Sequence, residues 1–275
     1  MSSVKRTFQV ASLLAARAPL GVRAIAQQLQ LPLGSTHRLL LDLESESVAE
    51  RTPDGEWELS FRLLEIAGLQ IERIQIPRLA RPIVEKLAET TGETVHLSAP
   101  SGAETVCIDK AQTNFQLQLS THIGSHGPMY CTGSGKALLA FMGADEAERA
   151  IAAQPFRAVT PHTIVSAAAL RRELQRTRQR GYSLDHEEAV VGVHCVGVPI
   201  FNRFGGPVAA ISVSGSSPKG AGIALDRLVD SLKEAASYVS RRLGYGGEAA
   251  DAAPLPRQTP ARRPARARRL ETGDA

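Results

Sequence analysis

Cysteine is scarce in this chain. Its 275 residues hold three, Cys107, Cys131 and Cys195, with no CxxC pair. That excludes the disulfide framework of small secreted domains and points to a reducing compartment, the cytoplasm. Long apolar runs are missing too. None approaches the ~20 residues that cross a bilayer, and no signal peptide precedes the first helical pattern, so no membrane is expected among the partners.

Catalytic signatures are also lacking. Around Gly135-Lys136, Tyr130 stands where a Walker A loop needs its first glycine, and Ala137 where it needs Ser or Thr. The run His186-Glu187-Glu188-Ala189-Val190 has no second histidine for HExxH, and no G-x-S-x-G elbow occurs. One arrangement stays open, Cys195 with His96, His126 or His186 as base, because such partners meet in space and not in sequence. A cysteine in an apolar strand is more often an inert small hydrophobe. No catalytic residue and no cofactor is expected. His122, His126 and Cys131, with Asp185, His186, His194 and Cys195, are acceptable zinc ligands. Their spacings match no compact zinc motif, and His194 alternates to the face opposite Cys195. No metal ligand is assigned, and a metal-responsive sensor is kept as an alternative.

An excess of basic charge is lacking where a nucleic-acid reading would want it. The whole chain carries +4, with a pI near 9.1. Residues 1–76 carry eight Lys/Arg against nine Asp/Glu, a net of −1. Any affinity for DNA phosphate must come from placement. The candidates are Lys5, Arg6, Arg17, Arg23, Arg38 and Arg51, with Glu44, Glu46 and Glu50 turned away. One such domain should bind weakly, so dimerisation is expected to double the contacts.

What is present begins with Gly21–Leu43. Val22, Ile25, Ala26 and Leu29 recur at helical spacing, Pro32 breaks the pattern, and Thr36, Leu39, Leu40 and Leu43 form a second stripe. The second helix turns Gly34, Ser35, His37 and Arg38 outward near its start. Two short amphipathic helices around a tight turn suit a helix-turn-helix, and suit a helical hairpin in any core equally well. Val48–Ser60 then reads as two short strands around the turn Pro53-Asp54-Gly55. A preceding helix over Ser3–Arg17 places Val4, Phe8, Ala11 and Leu14 on one face. Helix, helix, hairpin is the order of a winged helix-turn-helix.

Beyond it, Phe61–Ile74 reads as a connector helix ended by Pro77, and Leu79–Thr91 as a second helix closed by Gly92. Strand patterns follow at Thr94–Ala99, Thr105–Ala111 and Phe115–Thr121. Gly133 and Ser134 lead into a helix over Gly135–Met142. Ser166 caps a helix over Ala167–Arg180 that Gly181 stops. Val193–Ile200 and Pro207–Gly215 read as a hairpin around Asn202–Gly206, and Ala221–Leu243 as a closing helix. Interleaved strands and helices with a late hairpin suggest an α+β domain with an antiparallel sheet. From Gly246 on, six arginines, four acids and four prolines without apolar periodicity read as a disordered Ala/Pro/Arg-rich tail.

Period two sets Val208, Ala210, Ser212 and Ser214 on one face of their strand. Across the hairpin Cys195 shares a face with Val193 and Gly197, leaving room for a guest. Gly133 and Ser134 open a helix, where free N–H groups and the dipole favour a carboxylate. Serines and glycines also serve ordinary turns and strand ends, and the residues alone favour that plainer role.

LPLGSTHRLL at Leu31–Leu40 and PDGEWEL at Pro53–Leu59 resemble the isocitrate lyase regulator (IclR) family of bacterial transcription factors. So do TGETVHLS at Thr91–Ser98, GSGKALLA at Gly133–Ala140, and the run from Gly181 through GVHCVGVPI to ISVSG. These lie in the family's order from Val4 to about Tyr245. The resemblance implies a two-domain protein. An N-terminal winged helix-turn-helix over 1–60, mainly α, reads a double-stranded DNA operator. A linker helix over 61–76, which in that family also helps dimerisation, leads to a GAF-like effector-binding domain over 77–245. A tail fills 246–275. It implies DNA contacts from the run Gly34, Ser35, Thr36, His37 and Arg38. It also implies a small organic acid held by Gly133, Ser134, Asp185, Cys195, Ser212 and Ser214, in a homodimer or tetramer. The competing function is a small-molecule sensor acting through protein partners.

Overall fold

The computed structural model describes residues 2–73, 75–112, 120–216 and 225–247. The chain divides into two compact units, Met1–Gln75 and Ile76–Ala275.

In the first unit Ser2 caps helix α1 (Ser3–Arg17), its hydroxyl accepting from the Lys5 amide at 3.3 Å. The apolar pattern of α1 was expected to bury Val4, Phe8, Ala11 and Leu14. It buries Val10, Ala11 and Leu14 and leaves Val4 and Phe8 exposed. The buried face of α1 runs through Thr7, Val10, Ala11 and Leu14, so Val4 and Phe8 lie to one side of it, with Arg6, Thr7 and Gln9 half-buried around the exposed Phe8. Helices α2 (Val22–Leu29) and α3 (Leu33–Ser45) are joined through Gln30, whose left-handed φ of 53° ends α2. Pro32 is the N-cap of α3. Ile25, Leu39, Leu40 and Leu43 meet Val10, Leu14, Ala49 and Trp57 in one core. Strands β1 (Ala49–Arg51) and β2 (Trp57–Leu59) pair antiparallel as the wing. Leu20 and Trp57 exchange both backbone bonds, at 3.0 and 2.9 Å, which fastens the wing to the loop after α1. Helix α4 (Arg62–Arg73) closes the unit.

The second unit opens with α5 (Gln75–Thr91). Pro77 was expected to end a helix. It lies instead in the first turn of α5, where its missing N–H has no helical partner to lose. A six-stranded antiparallel sheet runs in the order β5-β4-β3-β8-β7-β6. Its strands are β3 (Thr94–Ser101), β4 (Glu104–Ala111), β5 (His126–Pro128), β6 (Ser183–His186), β7 (His194–Phe201) and β8 (Pro207–Gly215). The expected α+β unit with an antiparallel sheet is thus present. One face carries Val95, Leu97, Val196, Val198, Ile211 and Val213 against α5 and α9 (Leu225–Arg242). The other is covered by α6 (Gly133–Phe141), with α7 (Ala144–Ala152) and α8 (Ala167–Arg180) packed beside it. Ser166 and Gly181 bound α8 as their chemistry predicts: the Ser166 hydroxyl accepts from Ala169 at 3.3 Å, and Gly181 has φ 80°.

Helix α6 begins at Gly133, two residues before the sequence expectation, because Thr132 caps it. The Thr132 hydroxyl accepts from the Gly135 amide at 3.2 Å and donates to the Pro128 carbonyl at 2.6 Å. The expected strand Phe115–Thr121 falls largely outside the described residues. So do the first turn expected of the closing helix and the tail from 248 on.

Candidate functional site

Two surfaces carry the expected functional residues. On the first unit the outer face of α3 exposes Gly34, His37 and Arg38, with Ser35 half-buried. Arg6 of α1 and Arg38 line the same open groove, together with Pro32, Ser35 and Asp42. Lys5 and Arg23 are exposed. Two members of the expected set stand differently. Thr36 is fully buried, and its hydroxyl donates to the Pro32 carbonyl at 3.2 Å. It therefore shapes the start of α3 and cannot contact DNA, the outcome its inward helical spacing had indicated. Arg51 is engaged within the unit: its Nε lies 3.5 Å from Glu44 Oε1, and its guanidinium 4.5 Å from the Trp57 ring centroid.

The second surface is a cavity of about 120 Å³ between the sheet and the start of α6. Strand register builds it. Directly opposed residues on neighbouring antiparallel strands point to the same face, and two such rows cross the sheet. One row is Asp185, Cys195, Ser214 and Thr94, and the next is Ser183, Gly197, Ser212 and His96. All six residues of the expected effector set, Gly133, Ser134, Asp185, Cys195, Ser212 and Ser214, line this one cavity.

Glycine makes the close approach possible. A Cβ built on Gly197 would lie 2.6 Å from the Gly133 carbonyl oxygen, and one on Gly133 would lie 2.9 Å from the Cys195 Cβ. Ser183 Oγ donates to the same Gly133 carbonyl at 2.5 Å. The first turn of α6 is thereby pressed onto β7 with its amides at the cavity. Thr132 takes the Gly135 and Lys136 amides, which leaves those of Gly133 and Ser134 as first-turn donors. Helix N-terminal amides of this kind favour an anion.

Burial sets the ionisation of the lining. It pushes the Asp185 carboxyl above the ordinary carboxylate range, opposed by Lys136 and by the Glu188 amide, which donates to Asp185 Oδ1 at 2.8 Å. The Cys195 thiol is driven strongly upward by burial and by the Asp185 charge, and it donates to Ser214 Oγ at 3.1 Å. Cys131 rises to about 12 by burial. A thiol held protonated is no nucleophile, so Cys195 does not fit the Cys/His enzyme that spacing had left open. His96 is pulled down to about 4 by burial and by Lys110, and its Nε2 lies 2.8 Å from Thr121 Oγ1.

Sequence reasoning missed His96, Ser98 and Thr132 as lining residues, and Lys136 and Glu188 beneath them. The alternation that placed Ser212 and Ser214 would also have placed His96 and Ser98 on one face of β3. Lys136 had been weighed only as part of a failed Walker motif, yet it is fully buried and its Nζ bonds Glu188 Oε1. The residues considered for metal do not gather into one ligand set. His126 Nδ1 lies 3.2 Å from Glu104 Oε2, and His186 and His194 pair at 3.5 Å between Nδ1 atoms. Among the described residues no group of three or more potential ligands is placed to hold an ion, and no helix is long and apolar enough to cross a membrane.

A three-helix unit with a wing, joined in one chain to an α+β unit with a cavity at a helix N-terminus, defines a helix-turn-helix regulator with a ligand-binding domain. The chain belongs to the IclR family of bacterial transcriptional regulators. The pattern described as "Bacterial transcriptional regulator IclR C-terminal" matches residues 69–241, and "IclR helix-turn-helix domain" matches residues 3–53. "Probable transcriptional regulator SauR" of Cupriavidus necator is 35% identical over 210 residues, 76% of this chain and 83% of that protein. The IclR structure of Thermotoga maritima is 32% identical and superposes with a TM-score of 0.74, covering 88% of this chain and 99% of that one. An IclR homologue of Microbacterium hydrocarbonoxydans, solved with 4-hydroxybenzoate, shares the fold at 24% identity. Its TM-score is 0.76, over 88% of this chain and 99% of the other. The family is regulatory, and this chain is a regulator rather than an enzyme.

Proposed function

We propose that the outer face of α3 binds operator DNA and that the cavity takes a small organic acid, which changes operator affinity. Gly34, Ser35, His37 and Arg38 lie on the surface a major groove would meet, with Lys5, Arg6 and Arg23 as phosphate contacts. With the first 76 residues near neutral, two copies supply the contacts one cannot, in a homodimer or tetramer in the cytoplasm.

One observation carries the acid reading: six residues from four separate segments close on one small cavity at the N-terminus of α6. The Gly133 and Ser134 amides suit a carboxylate, and the Ser212 and Ser214 hydroxyls suit a second oxygen. The 4-hydroxybenzoate held by the Microbacterium homologue is an acid of this kind. The test is thermal shift of the full chain against acetate, lactate, benzoate and 4-hydroxybenzoate, with acetamide and benzamide as neutral controls. A ligand at 100 times its Kd adds about 2.7 kcal/mol to the native state. Stabilisation by an acid and not by its amide supports the reading. Equal shifts for acid and amide, or none at all, contradict it.

A further inference from the structure

Beneath the cavity lie three buried ionisable side chains on three segments: Lys136 on α6, Asp185 on β6 and Glu188 in the turn after it. The Lys136 ammonium is bonded to Glu188 Oε1, so the buried cation already faces one carboxylate. Asp185 is the second. It is 2% exposed, accepts from the Glu188 amide, and unlike the other two it lines the cavity. With every group ionised, the cluster carries one positive and two negative charges. Among the described residues no lysine or arginine lines the cavity. Lys110 stands at the far end, beside His96, with its ammonium on the Thr121 carbonyl at 2.8 Å. Of the other titratable groups that face Asp185 or line the cavity, the Cys195 thiol from β7 and the Cys131 thiol from the segment before α6 are held neutral by burial. The His96 imidazole of β3 is pulled down by burial, and His126 of β5 is taken by Glu104, with Nδ1 3.2 Å from Oε2.

An acid entering as its anion therefore meets a carboxylate with no cation to spare. Two carboxylates that share a buried site with no cation between them raise one another's hold on a proton, so that one of the two is protonated. The α6 amides contribute only about half a positive charge.

We propose that an organic acid enters this cavity together with one proton from solvent, and that Asp185 takes that proton. The inference rests on the organic-acid reading above. In the loaded state the effector carboxylate accepts from the Gly133 and Ser134 amides. Asp185, now a neutral acid, becomes a donor to an effector oxygen instead of a repelling charge. Burial already raises the Asp185 carboxyl, so the proton finds a group prepared to hold it. The regulator then responds more strongly to the acid as the medium acidifies. A neutral ligand would leave the proton count at zero.

The test is isothermal titration of the full chain with the acids of the panel, in phosphate and in Tris. Their different ionisation heats report the number of protons taken up. About one proton per bound acid is expected, with Kd weakening up to about tenfold per pH unit as pH rises above neutral. Asp185→Asn, which keeps a hydrogen-bond acceptor at the position, should bind the acid with no proton uptake and a flat pH profile. Acid binding without proton uptake in the parent chain overturns the proposal and leaves the organic-acid reading standing. Uptake retained in Asp185→Asn overturns the assignment to Asp185. Failure of every acid to bind at any pH removes the organic-acid reading and the proposal with it. The proton count of the parent chain decides the main point even if the variant does not fold.

Discussion

His96 is a buried histidine kept neutral, and its cost appears in acid. The folded value of about 4 lies below the ordinary 6.5. The unfolded chain therefore binds a proton that the native chain refuses, and stability is lost as pH falls from 6.5 towards 4. The shift corresponds to about 3 kcal/mol at full expression. His96→Asn should remove this loss. Thermal melts of variant and parent should diverge in the variant's favour as pH drops through that window, and parallel melts would contradict the neutral buried imidazole. Asp185 and Glu188 have the opposite sign. Burial raises both from ordinary values of 3.8 and 4.5, so their contribution is present in acid and lost as pH rises through the raised folded values. Asp185→Asn should accordingly gain on the parent towards alkaline pH, measured as a widening difference in Tm. The hydroxyls allow a binding test. The double variant Ser212→Ala, Ser214→Ala removes two bonds worth about 0.5–1.5 kcal/mol each, or up to ~3 to a charged partner. Acid affinity read by titration should fall by one to a few powers of ten. Unchanged affinity would assign both serines to the strand alone.

At the scale of elements, the packing of α6 on β7 is the sharpest constraint. Gly197→Ala would place a methyl 2.6 Å from the Gly133 carbonyl. That contact is with backbone, so relief requires the helix to move. Overpacking of this kind costs about 1–3 kcal/mol and should also weaken acid binding, because the α6 amides leave their position. A chemical melt with a parallel titration checks both, and a variant that melts and binds like the parent would show the contact to be slack. Elements legible in the sequence were those with local chemistry: α8 between Ser166 and Gly181, the turn in the wing, and β8 with its alternation. Those missed had weaker local signals. Strands β5 and β6 hold three and four residues and exist through pairing with distant strands. Helix α7 has Gly143 as its N-cap and no side-chain cap to announce it. On α1 the helical period was right and the phase of its buried face wrong, since Val4 and Phe8 lie to one side of the face that buries Val10, Ala11 and Leu14. The cavity was half legible. Alternation gave Ser212, Ser214 and Cys195, and helix-start chemistry gave Gly133 and Ser134. Asp185 came from the family resemblance alone, and its ionisation depends on Lys136 and Glu188, whose approach is tertiary.

For the whole molecule, the surface of α3 and the cavity lie in two separate compact units of one chain, so regulation is a coupling between sites. An acid alters operator affinity only through its difference in affinity between arrangements of the protein. The coupling is reciprocal: if the acid changes operator Kd by some factor, operator DNA changes acid Kd by the same factor. Arg38→Ala should weaken the operator complex and leave acid binding intact. A lost base contact would cost about 1–3 kcal/mol at one base position, and a lost phosphate contact would weaken all sequences alike. Operator titration with and without saturating acid distinguishes coupled sites from independent ones. The measurement is fluorescence anisotropy, on a duplex selected from a random library by the full chain. The acid should shift operator Kd by about 5–150-fold, in either direction, the usual range of allosteric coupling. An acid that binds the cavity and leaves operator Kd unchanged would contradict that coupling.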